Sequence, residues 1–543
     1  MAVTLRPYQH DAIQAVISAR RRGVRRMVIS LPTGAGKTVI FSHLAKIARR
    51  PVVVLAHREE LVAQASEKVR SALGGEAVVT IERGQARASD SAKVLVCSIR
   101  SLHEHRLARI IRDRDIGLIV YDECHHAASG DNLRVLRQLG VFDDCFSGTL
   151  LGFTATLERG DGKGLDNVFE EIVYARTLPE MVEDGYLCPL RGFRIATTGD
   201  LRNLSAGGSD FRDDELAEAI DIEERNALVA RSIQELARDR RTIAFCVTVR
   251  HARHLAHALN AVGVPAGVVH GAMRSDARKN ALHDFRLGRI HAITNVGVLT
   301  EGFDDPGVAC IAMARPTRSA GLYAQCVGRG TRLSPEKKDC LILDFVDTSN
   351  LSLCTLPSLF GVPRDVDLRG DDVSRAKRIW DEIVFDRPGF ALEAGAVTLP
   401  EIQDRARSFD PLTLTTDDEV RAISKNAWFS LGRFGVGLHF LRKEGQLCEV
   451  TVQKRATSGK CWEIVLDGKV MDRTSRMEDA VSAVDYEIEQ MGRLPMASAK
   501  QGAQWRKAPA PKALIAGLRT KPAPVHFGEA AQLATWERVA RIV

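Results

Sequence analysis

Ten short runs of β-branched and other apolar residues recur along the first 345 residues, in two groups of five. Runs with little polar alternation are typical of strands buried on both faces. Several are followed by helical patterns, at residues 42–50, 59–73 and 251–261. Strand–helix alternation predicts two parallel α/β sheets, joined near residues 192–209. The runs are residues 27–31, 52–55, 94–96, 118–121 and 150–153, then 243–247, 267–269, 290–293, 309–313 and 341–343.

Composition excludes several other classes of protein. The chain has 543 residues, 45% hydrophobic and 27% charged, which is the balance of a multi-domain globular protein. No apolar run approaches the ~18 residues of a membrane span, and the N-terminal residues do not read as a secretory signal. Eleven scattered cysteines without C-x-x-C argue against a disulfide framework or a zinc ribbon. We therefore expect a cytoplasmic location.

The positive charge is concentrated at the C-terminal end. The formal net charge is +7, and residues 493–543 carry nine basic and two acidic residues, which accounts for the whole surplus. A basic segment on a nearly neutral body indicates contact with a polyanion. A solvated basic end is the alternative, and charge alone does not decide between them.

The pattern changes after residue 345. Residues 351–430 predict a helical connector, including a helix over 371–384, and residues 434–472 predict a β-meander followed by a helix over 477–491. The predicted domains are 1–195 and 196–350 for the two α/β lobes, 351–430 for the connector, 431–492 for a small α+β domain and 493–543 for a basic tail. Within that tail, a helical pair is predicted over 512–518 and 529–540.

A phosphate-binding sequence stands between the first strand run and a helical pattern, Leu-Pro-Thr-Gly-Ala-Gly-Lys-Thr over residues 31–38. Gly34 and Gly36 let the backbone turn its N–H groups inward as an anion nest, and the next helix adds its positive N-terminal end. Lys37 is placed to reach the β- and γ-phosphates of a nucleotide, and Thr38 to ligate Mg²⁺.

This segment departs from two related patterns. The usual phosphate loop begins with glycine where this chain has Leu31, so the prediction depends on the Gly-Lys-Thr core and its strand–loop–helix context. It does not extend to G-x-G-x-x-G, because residue 39 is valine, so a dinucleotide-binding fold is not supported. A fortuitous glycine-rich turn stays open on this motif alone.

A second acidic motif, Asp122-Glu-Cys-His125, ends a strand run. Carboxylates after an apolar strand are costly unless they meet a cation. Asp122 is placed to hold Mg²⁺ through water, and Glu123 to orient and deprotonate an attacking water. Metal binding by the adjacent cysteine and histidines is the weaker alternative, since no partner ligands lie at zinc spacing.

Phosphoryl transfer also needs positive charge on the γ-phosphate, and Arg329 and Arg332 can supply it from the second lobe. They lie three residues apart, which predicts one helical face. Arginines from the other lobe would make hydrolysis depend on closure of the two lobes. A surface basic pair is the alternative reading.

Taken together and in order, these segments resemble the superfamily 2 helicases and translocases of the D-E-x-H type, over residues 1–350. The resemblance implies two tandem RecA-like parallel-sheet domains of the P-loop NTPase class, α/β in fold, followed by a small α+β domain and the basic tail. The matching segments are residues 5–9, 31–38 (motif I), 56–61 (Ia), 96–99, 122–125 (II), 154–156 (III), 245–248 (IV), 270–271, 294–306 (V) and 325–332 (VI).

The resemblance also assigns roles residue by residue, with ATP and Mg²⁺ as the cofactors. Catalytic roles are implied for Lys37, Asp122, Glu123, Gln325, Arg329 and Arg332, and Mg²⁺ contacts for Thr38 and Asp122. Nucleotide contacts are implied for Gln9, which would read adenine, and for Thr33, Gly34, Ala35, Gly36, Lys37, Thr38, Gly302 and Asp304. Nucleic-acid contacts are expected from His57, Arg58, Ser98, Thr248 and Thr300, whose hydroxyl and basic side chains suit phosphate oxygens.

Within the superfamily, residues 300–304 and 325–332 look most like the RadD-like and XPB-like bacterial DNA repair helicases. The RNA-unwinding D-E-A-D group usually begins motif VI with histidine where this chain has Gln325. The resemblance thus implies single-stranded, duplex or branched DNA as partner rather than RNA, in repair or recombination. A zinc insert of some RadD-like proteins is absent, since no cysteine lies between 354 and 448.

Other functions stay open at this point. An ATP-gated duplex clamp or sensor, or the motor subunit of a restriction or defence system, would carry the same core motifs. Asp467-Gly-Lys469 could belong to a nuclease, but Asp-Gly between two β runs is more simply a hairpin turn.

The C-terminal region predicts a nucleic-acid-binding or a protein-docking domain. Trp428, Phe429 and Phe434 could stack on bases, although core packing is the preferred interpretation. Arg506 and Lys507, beside a tryptophan, are the better candidates for nucleic-acid contacts.

Overall fold

The computed structural model divides the chain into two compact units, Met1–Arg375 and Ala376–Val543. Every helix in the part of the chain that the structure describes is too short or too polar to cross a membrane. The structure describes residues 4–56, 59–73, 79–82, 92–112, 114–155, 165–202, 204, 206–207, 210–300, 303–348, 353–386, 390, 392, 395–408, 420, 423–431, 435–442, 444–454, 462–500, 503–511, 514 and 526–542.

The first lobe of unit 1 is a seven-stranded parallel sheet in the order β3-β4-β2-β5-β6-β1-β7. Its central strands are apolar on both faces and buried. The strands are β1 (Arg26–Ser30), β2 (Val52–Ala56), β3 (Val79–Glu82), β4 (Val94–Ser98), β5 (Leu118–Asp122), β6 (Thr149–Thr154) and β7 (Glu171–Ala175). The helices are α1 (Pro7–Arg21), α2 (Lys37–Ile47), α3 (Glu59–Leu73), α4 (Glu104–Arg112), α5 (Gly130–Gln138) and α6 (Leu178–Glu183).

The second lobe is a six-stranded parallel sheet in the order β12-β13-β11-β14-β15-β8. Its strands are β8 (Leu190–Asp200), β11 (Arg241–Phe245), β12 (Ala266–His270), β13 (Ala292–Val296), β14 (Val308–Met313) and β15 (Cys340–Thr348), and β9 (Ala206–Gly207) pairs with β10 (Asp210–Phe211). The helices are α7 (Asp213–Ile220), α8 (Glu223–Ala237), α9 (Val249–Ala261), α10 (Ser275–Arg286) and α11 (Ala320–Val327), and short elements follow, α12 (Leu356–Leu359) and β16 (Val366–Asp367).

The two predicted parallel sheets are confirmed, and all ten apolar runs form strands in them. Three further strands, β3, β7 and β8, lie at sheet edges and were not predicted. Edge strands are partly solvated, and β8 carries two arginines, two threonines and an aspartate, so they lack the continuous apolar signal. Because β8 begins at Leu190, the predicted lobe boundary at 195/196 and the join near 192–209 are wrong. The second lobe therefore includes the whole of this strand, from Leu190 onwards.

Unit 2 is built on a five-stranded antiparallel sheet in the order β18-β19-β20-β21-β22. The predicted β-meander and its helix are confirmed. The strands are β17 (Val397–Thr398), β18 (Phe429–Ser430), β19 (Gly435–Leu441), β20 (Leu447–Lys454), β21 (Trp462–Leu466) and β22 (Lys469–Thr474). The helices are α13 (Val373–Asp386), which crosses the boundary between the units, α14 (Leu399–Ser408), α15 (Met477–Met491), α16 (Arg493–Ser498) and α17 (Phe527–Ile542).

Several predictions about the C-terminal region are settled by unit 2. Trp428 and Phe429 are 2% exposed and belong to the core, as preferred. Asp467 and Gly468 have φ values of 46° and 83° between β21 and β22, which confirms the hairpin turn. Phe434 lies outside the described residues. Of the predicted helix over 512–518, the structure describes only residue 514.

The predicted division of this region into three parts is wrong. Residues 351–375 belong to unit 1, and β18, at the end of the predicted connector, pairs with β19. Helices α16 and α17, from the predicted basic tail, both pack against β19, and α15 packs against the sheet as well. The tail is therefore part of one folded unit.

Arg506 is not the exposed phosphate contact that its charge predicts. Its side chain is buried, one guanidinium N–H donates to the carbonyl of His439 at 2.7 Å, and the guanidinium lies 4.6 Å from the centre of the Trp505 ring. Burial lowers the pKa of Arg506 to about 10. The side chain stabilises unit 2, whereas Lys507 beside it is exposed.

Candidate nucleotide site

The phosphate loop connects β1 to α2 and has the backbone that its glycines predict. Gly34 and Gly36 both take positive φ values, 88° and 74°, in the left-handed region. Gly36 directly precedes the first turn of α2, so unpaired N–H groups of the helix face the loop. The loop and the N-terminal end of α2 together form the anion-binding site that the sequence predicts.

Lys37, the first residue of α2, lies against the acidic motif. Its Nζ donates to Glu123 Oε1 at 3.2 Å, and the two side chains are 11% and 9% exposed. Glu123 follows β5 in the left-handed region at φ 53°, which is uncommon for a residue with a side chain. Unusual backbone at this position turns the carboxylate towards the phosphate loop.

His125 connects the acidic motif to β6. Its Nδ1 lies 3.4 Å from Glu123 Oε2 and 3.3 Å from the hydroxyl of Thr154, the last residue of that strand. A chain of contacts therefore runs from Lys37 through Glu123 and His125 to Thr154. Thr156, the other threonine of motif III, lies outside the described residues.

The donor set around the loop fits Mg²⁺. Thr38 offers a hydroxyl on the first turn of α2, and Asp122 a carboxylate at the end of β5, both hard oxygen ligands. Asp122 Oδ1 accepts the N–H of Glu123 at 3.1 Å, which orders the carboxylate. In the described part of the chain, no group of three or more His, Cys, Asp or Glu side chains could hold a metal. Mg²⁺ commonly takes one or two protein ligands and completes its shell with phosphate oxygens and water.

Gln9 lies at the edge of the phosphate loop. It is 4% exposed, its Oε1 accepts the N–H of Arg6 at 3.0 Å, and its Nε2 lies 3.5 Å from the carbonyl of Ala35. Tyr8 donates its hydroxyl to the same Ala35 carbonyl at 2.6 Å, and its ring centre lies 4.6 Å from that of Tyr186. The glutamine is thus held beside the loop, and its reading of adenine stays a prediction.

Motif VI of the second lobe touches the phosphate loop directly. The hydroxyl of Thr331 lies 3.3 Å from the carbonyl of Thr33. A Cβ added to Gly34 would come within 3.3 Å of the Thr331 and Arg332 side chains. The two lobes therefore already meet at the place where a nucleotide's phosphates would bind. Thr331 was not singled out in the sequence, and only its position inside motif VI could have indicated it.

The prediction that the two candidate arginines share one helical face is wrong. Helix α11 ends at Val327, so both lie in the segment after it, while Gln325 is half-buried on the helix itself. Arg329 is 4% exposed and donates to the carbonyls of Thr300 and Phe303 at 2.7 and 2.9 Å, within its own lobe. It stabilises the motif V segment.

Arg332 is the arginine that lies at the lobe interface. Its Cγ lies 3.3 Å from the position that a Cβ on Gly34 would occupy. Its Nε lies 2.9 Å from Asp304 Oδ1, and its NH1 donates to the Phe303 carbonyl at 3.3 Å. Burial alone would raise the pKa of the Asp304 carboxyl, but Arg332 and Lys68 outweigh it, and the pKa is lowered. Gly302, beside this segment, lies outside the described residues.

The predicted nucleic-acid contacts are placed at the ends of elements. Ser98 ends β4 and is 2% exposed, and the Thr248 hydroxyl accepts the N–H of His251 at 3.2 Å in the first turn of α9. Thr300 is 8% exposed and donates its hydroxyl to the Gly297 carbonyl at 3.0 Å. His57 and Arg58 lie outside the described residues. These assignments stay predictions.

Each of the two lobes matches a known protein family. The family described as type III restriction enzyme, res subunit, matches residues 2–159, and the helicase conserved C-terminal domain matches residues 224–334. The two matches cover the phosphate loop and the acidic motif in one lobe and motifs V and VI in the other.

Individual proteins are similar over much longer stretches. A Schizosaccharomyces pombe protein provisionally named mitochondrial ATP-dependent helicase irc3 is 33% identical over 534 residues, covering 94% of this chain and 85% of that protein. The DNA 3'-5' translocase XPB2 of Sulfurisphaera tokodaii is 24% identical over 389 residues, 63% of this chain and 82% of that protein. Among solved structures, a fragment of a provisionally assigned HsdR subunit of a type I restriction enzyme from Vibrio vulnificus YJ016 is 22% identical, with a TM-score of 0.49, over 62% of this chain and 63% of that one.

Proposed function

Since this chain belongs to the ATP-dependent helicases of superfamily 2, we propose that it hydrolyses ATP between its two lobes to move along or remodel DNA. The observation that carries the proposal is the contact of motif VI with the phosphate loop, Thr331 to Thr33 at 3.3 Å. It brings the arginine-bearing segment of one lobe to the nucleotide site of the other.

The residues of the first lobe suit the phosphates and the attacking water. The nest at Gly34 and Gly36 offers N–H donors, and Lys37 would exchange Glu123 for the β- and γ-phosphates. Glu123 would then be released to orient a water and accept its proton. Thr38 and Asp122 would hold Mg²⁺, which neutralises phosphate charge when bound.

The second lobe would complete the site. Arg332 would leave Asp304 and place its guanidinium on the γ-phosphate, where negative charge develops in the transition state. Arg329 would keep the motif V segment in place through its two carbonyl contacts. Hydrolysis would remove the anion that draws the lobes together, and each cycle would shift one lobe relative to the other.

His125 provides a route from the nucleotide to the rest of the first lobe. It contacts both Glu123 and Thr154. A change in the position of Glu123 would therefore shift His125 and alter its contact with Thr154 at the end of β6. Thr154 begins motif III, which in this family couples ATP to nucleic acid. Ser98, Thr248 and Thr300 would contact phosphate oxygens, which carry no sequence information and so suit a motor.

DNA is the proposed track. The similarity to a protein named as a DNA translocase supports DNA, and Gln325 at the start of motif VI differs from the histidine usual in the RNA-unwinding group. A role in repair or recombination, with single-stranded, duplex or branched DNA as substrate, is part of the same proposal, as is a cytoplasmic location. A restriction or defence motor is the second candidate, favoured by the match of residues 2–159 to a restriction subunit family.

A strand-displacement assay combined with a translocation assay tests the proposal. We expect ATP-dependent displacement or movement on DNA, and none for the K37A variant, which lacks the ammonium that binds the phosphates. ATP-dependent binding to duplex DNA without movement would instead support the clamp, and ATP hydrolysis stimulated by RNA alone would contradict DNA as the track.

A further inference from the structure

The carboxylate of Asp304 lies between two cations that come from different lobes. Arg332, in its own lobe, places Nε 2.9 Å from Oδ1, and Lys68, on α3 of the first lobe, places Nζ 2.9 Å from Oδ2. The exposed fractions of the side chains are 18% for Arg332, 30% for Asp304 and 47% for Lys68. Each carboxylate oxygen therefore has its own cation, and one of the two ion pairs bridges the lobes.

This arrangement bears on the movement that hydrolysis requires. Arg332 has to leave Asp304 before its guanidinium can reach the γ-phosphate. Leaving a half-buried carboxylate without a partner costs free energy. With Lys68 in place, Asp304 keeps one cation after Arg332 departs, so the departure costs less.

The same ion pair also acts before any nucleotide binds. Lys68 and Asp304 join α3 to the motif V segment, and Asp304 also pairs with Arg332. Thr331, the neighbour of Arg332 in motif VI, meets Thr33 of the phosphate loop. An attraction between opposite charges on the two lobes favours conformations in which motif VI stays near the phosphate loop. It is weakened by salt, because the pair is partly exposed.

We propose that Lys68 is a positioning residue of the motor: it links the two lobes through Asp304 and holds that carboxylate while Arg332 moves to the nucleotide. This inference rests on the proposed function for its catalytic part, since the arginine movement matters only if ATP is hydrolysed between the lobes. The link between the lobes stands on the structure alone. Lys68 lies outside the sequence segments that identify the family.

Steady-state ATP hydrolysis by the full chain, stimulated by DNA, tests the catalytic part. K68Q should lower kcat about two- to fivefold, the range expected for a partly exposed ion pair, with the KM for ATP changed less than about twofold. K68R keeps the charge and should restore kcat. The control is K46Q on α2, which removes an exposed lysine of the same lobe. Equal kcat for K68Q and the wild type, or a K68R variant as slow as K68Q, would overturn the proposal.

Energy transfer between dyes on the two lobes tests the link itself, without nucleotide or DNA. The dyes are attached to the exposed Cys145 of the first lobe and to R253C on α9, in a background that carries C354S and C461S, since Cys354 is only half-buried. Wild-type transfer should fall as salt rises from about 0.05 to about 0.5 M, while K68Q should start lower and change little. K68Q should cause no further loss in a D304N background. Identical salt curves for K68Q and the wild type would refute the link, even if the protein hydrolysed no ATP.

Discussion

Gly34 shows how a single residue can set the distance between the two lobes. Its φ is positive, at 88°, and other side chains come close to it. A Cβ added to Gly34 would lie 3.2–3.3 Å from the side chains of Thr331, Arg332 and Leu187. The backbone requirement alone is shared by many loop glycines. The approach from the second lobe is what ties this position to the motor.

The substitution G34A separates these two requirements. Gly263 also has a positive φ, 80°, but nothing lies within 4 Å of an added Cβ there. Both G34A and G263A should lose about 1–2 kcal/mol of backbone stability, measured by urea unfolding. Only G34A should also slow ATP hydrolysis, by at least about tenfold, because it separates motif VI from the phosphate loop. Equal ATPase rates in the two variants would show that the lobes need not meet at Gly34.

Arg506 and Lys507 are adjacent in sequence but have different environments. R506A should destabilise unit 2 by about 2 kcal/mol, since it removes a buried charge-assisted hydrogen bond, with the slope of DNA affinity against salt unchanged. K507Q should leave stability unchanged, and if the basic segment contacts DNA it should reduce that slope by about one. Urea unfolding and salt titrations of DNA binding measure both. If R506A lost DNA affinity while its free energy of unfolding matched that of the wild type, Arg506 would be a phosphate contact after all.

At the scale of elements, the central strands could be predicted and the edges could not. Continuous apolar runs indicate strands that are buried on both faces, whereas β7 has only half-buried and exposed residues and β8 carries charge. The lobe boundary was misplaced for the same reason. Likewise, the phosphate loop and Asp122–Glu123 follow from local sequence, because strand–loop–helix geometry is local. The Lys68–Asp304 pair joins residues 236 positions apart, so no local sequence pattern could predict it.

Strand β19 carries a histidine that makes the stability of unit 2 depend on pH. Burial, with Arg506 and Arg538 nearby, lowers the pKa of His439 to about 3. The pKa of an unfolded histidine is about 6.5. Below that pH the unfolded chain binds a proton at this position, whereas the folded unit does not bind it until the pH is much lower. The stability contributed by neutral His439 should be present above pH ~6.5 and lost progressively as the pH falls towards about 3.

Tryptophan fluorescence reports this effect selectively, because all five tryptophans of the chain lie beyond residue 375. The pH dependence of urea unfolding should flatten in H439Q and persist in H526Q, which replaces an exposed histidine of the same unit. H439Q should also be less stable at neutral pH, since the buried ring stacks on Phe429. If the free energy of unfolding of H439Q depended on pH as steeply as that of the wild type, the acid sensitivity would come from other groups.

At the scale of the whole molecule, the account depends on one lobe completing the nucleotide site of the other. The phosphate loop, Lys37 and Glu123 belong to the first lobe, and Arg332 belongs to the second. The family matches fall on both lobes, which agrees with a shared site. What distinguishes a shared site from two independent domains is whether hydrolysis requires the second lobe's guanidinium.

ATP hydrolysis by R332Q, measured beside ATP binding, tests this directly. Single-stranded, duplex and branched DNA and RNA are compared as activators, with the wild type and K37A as references. The account predicts that R332Q binds ATP within about threefold of the wild type but loses about 10³-fold or more in DNA-stimulated kcat, as expected for an arginine that stabilises the transferring phosphoryl group. An R332Q enzyme that hydrolyses ATP at the wild-type rate would contradict it.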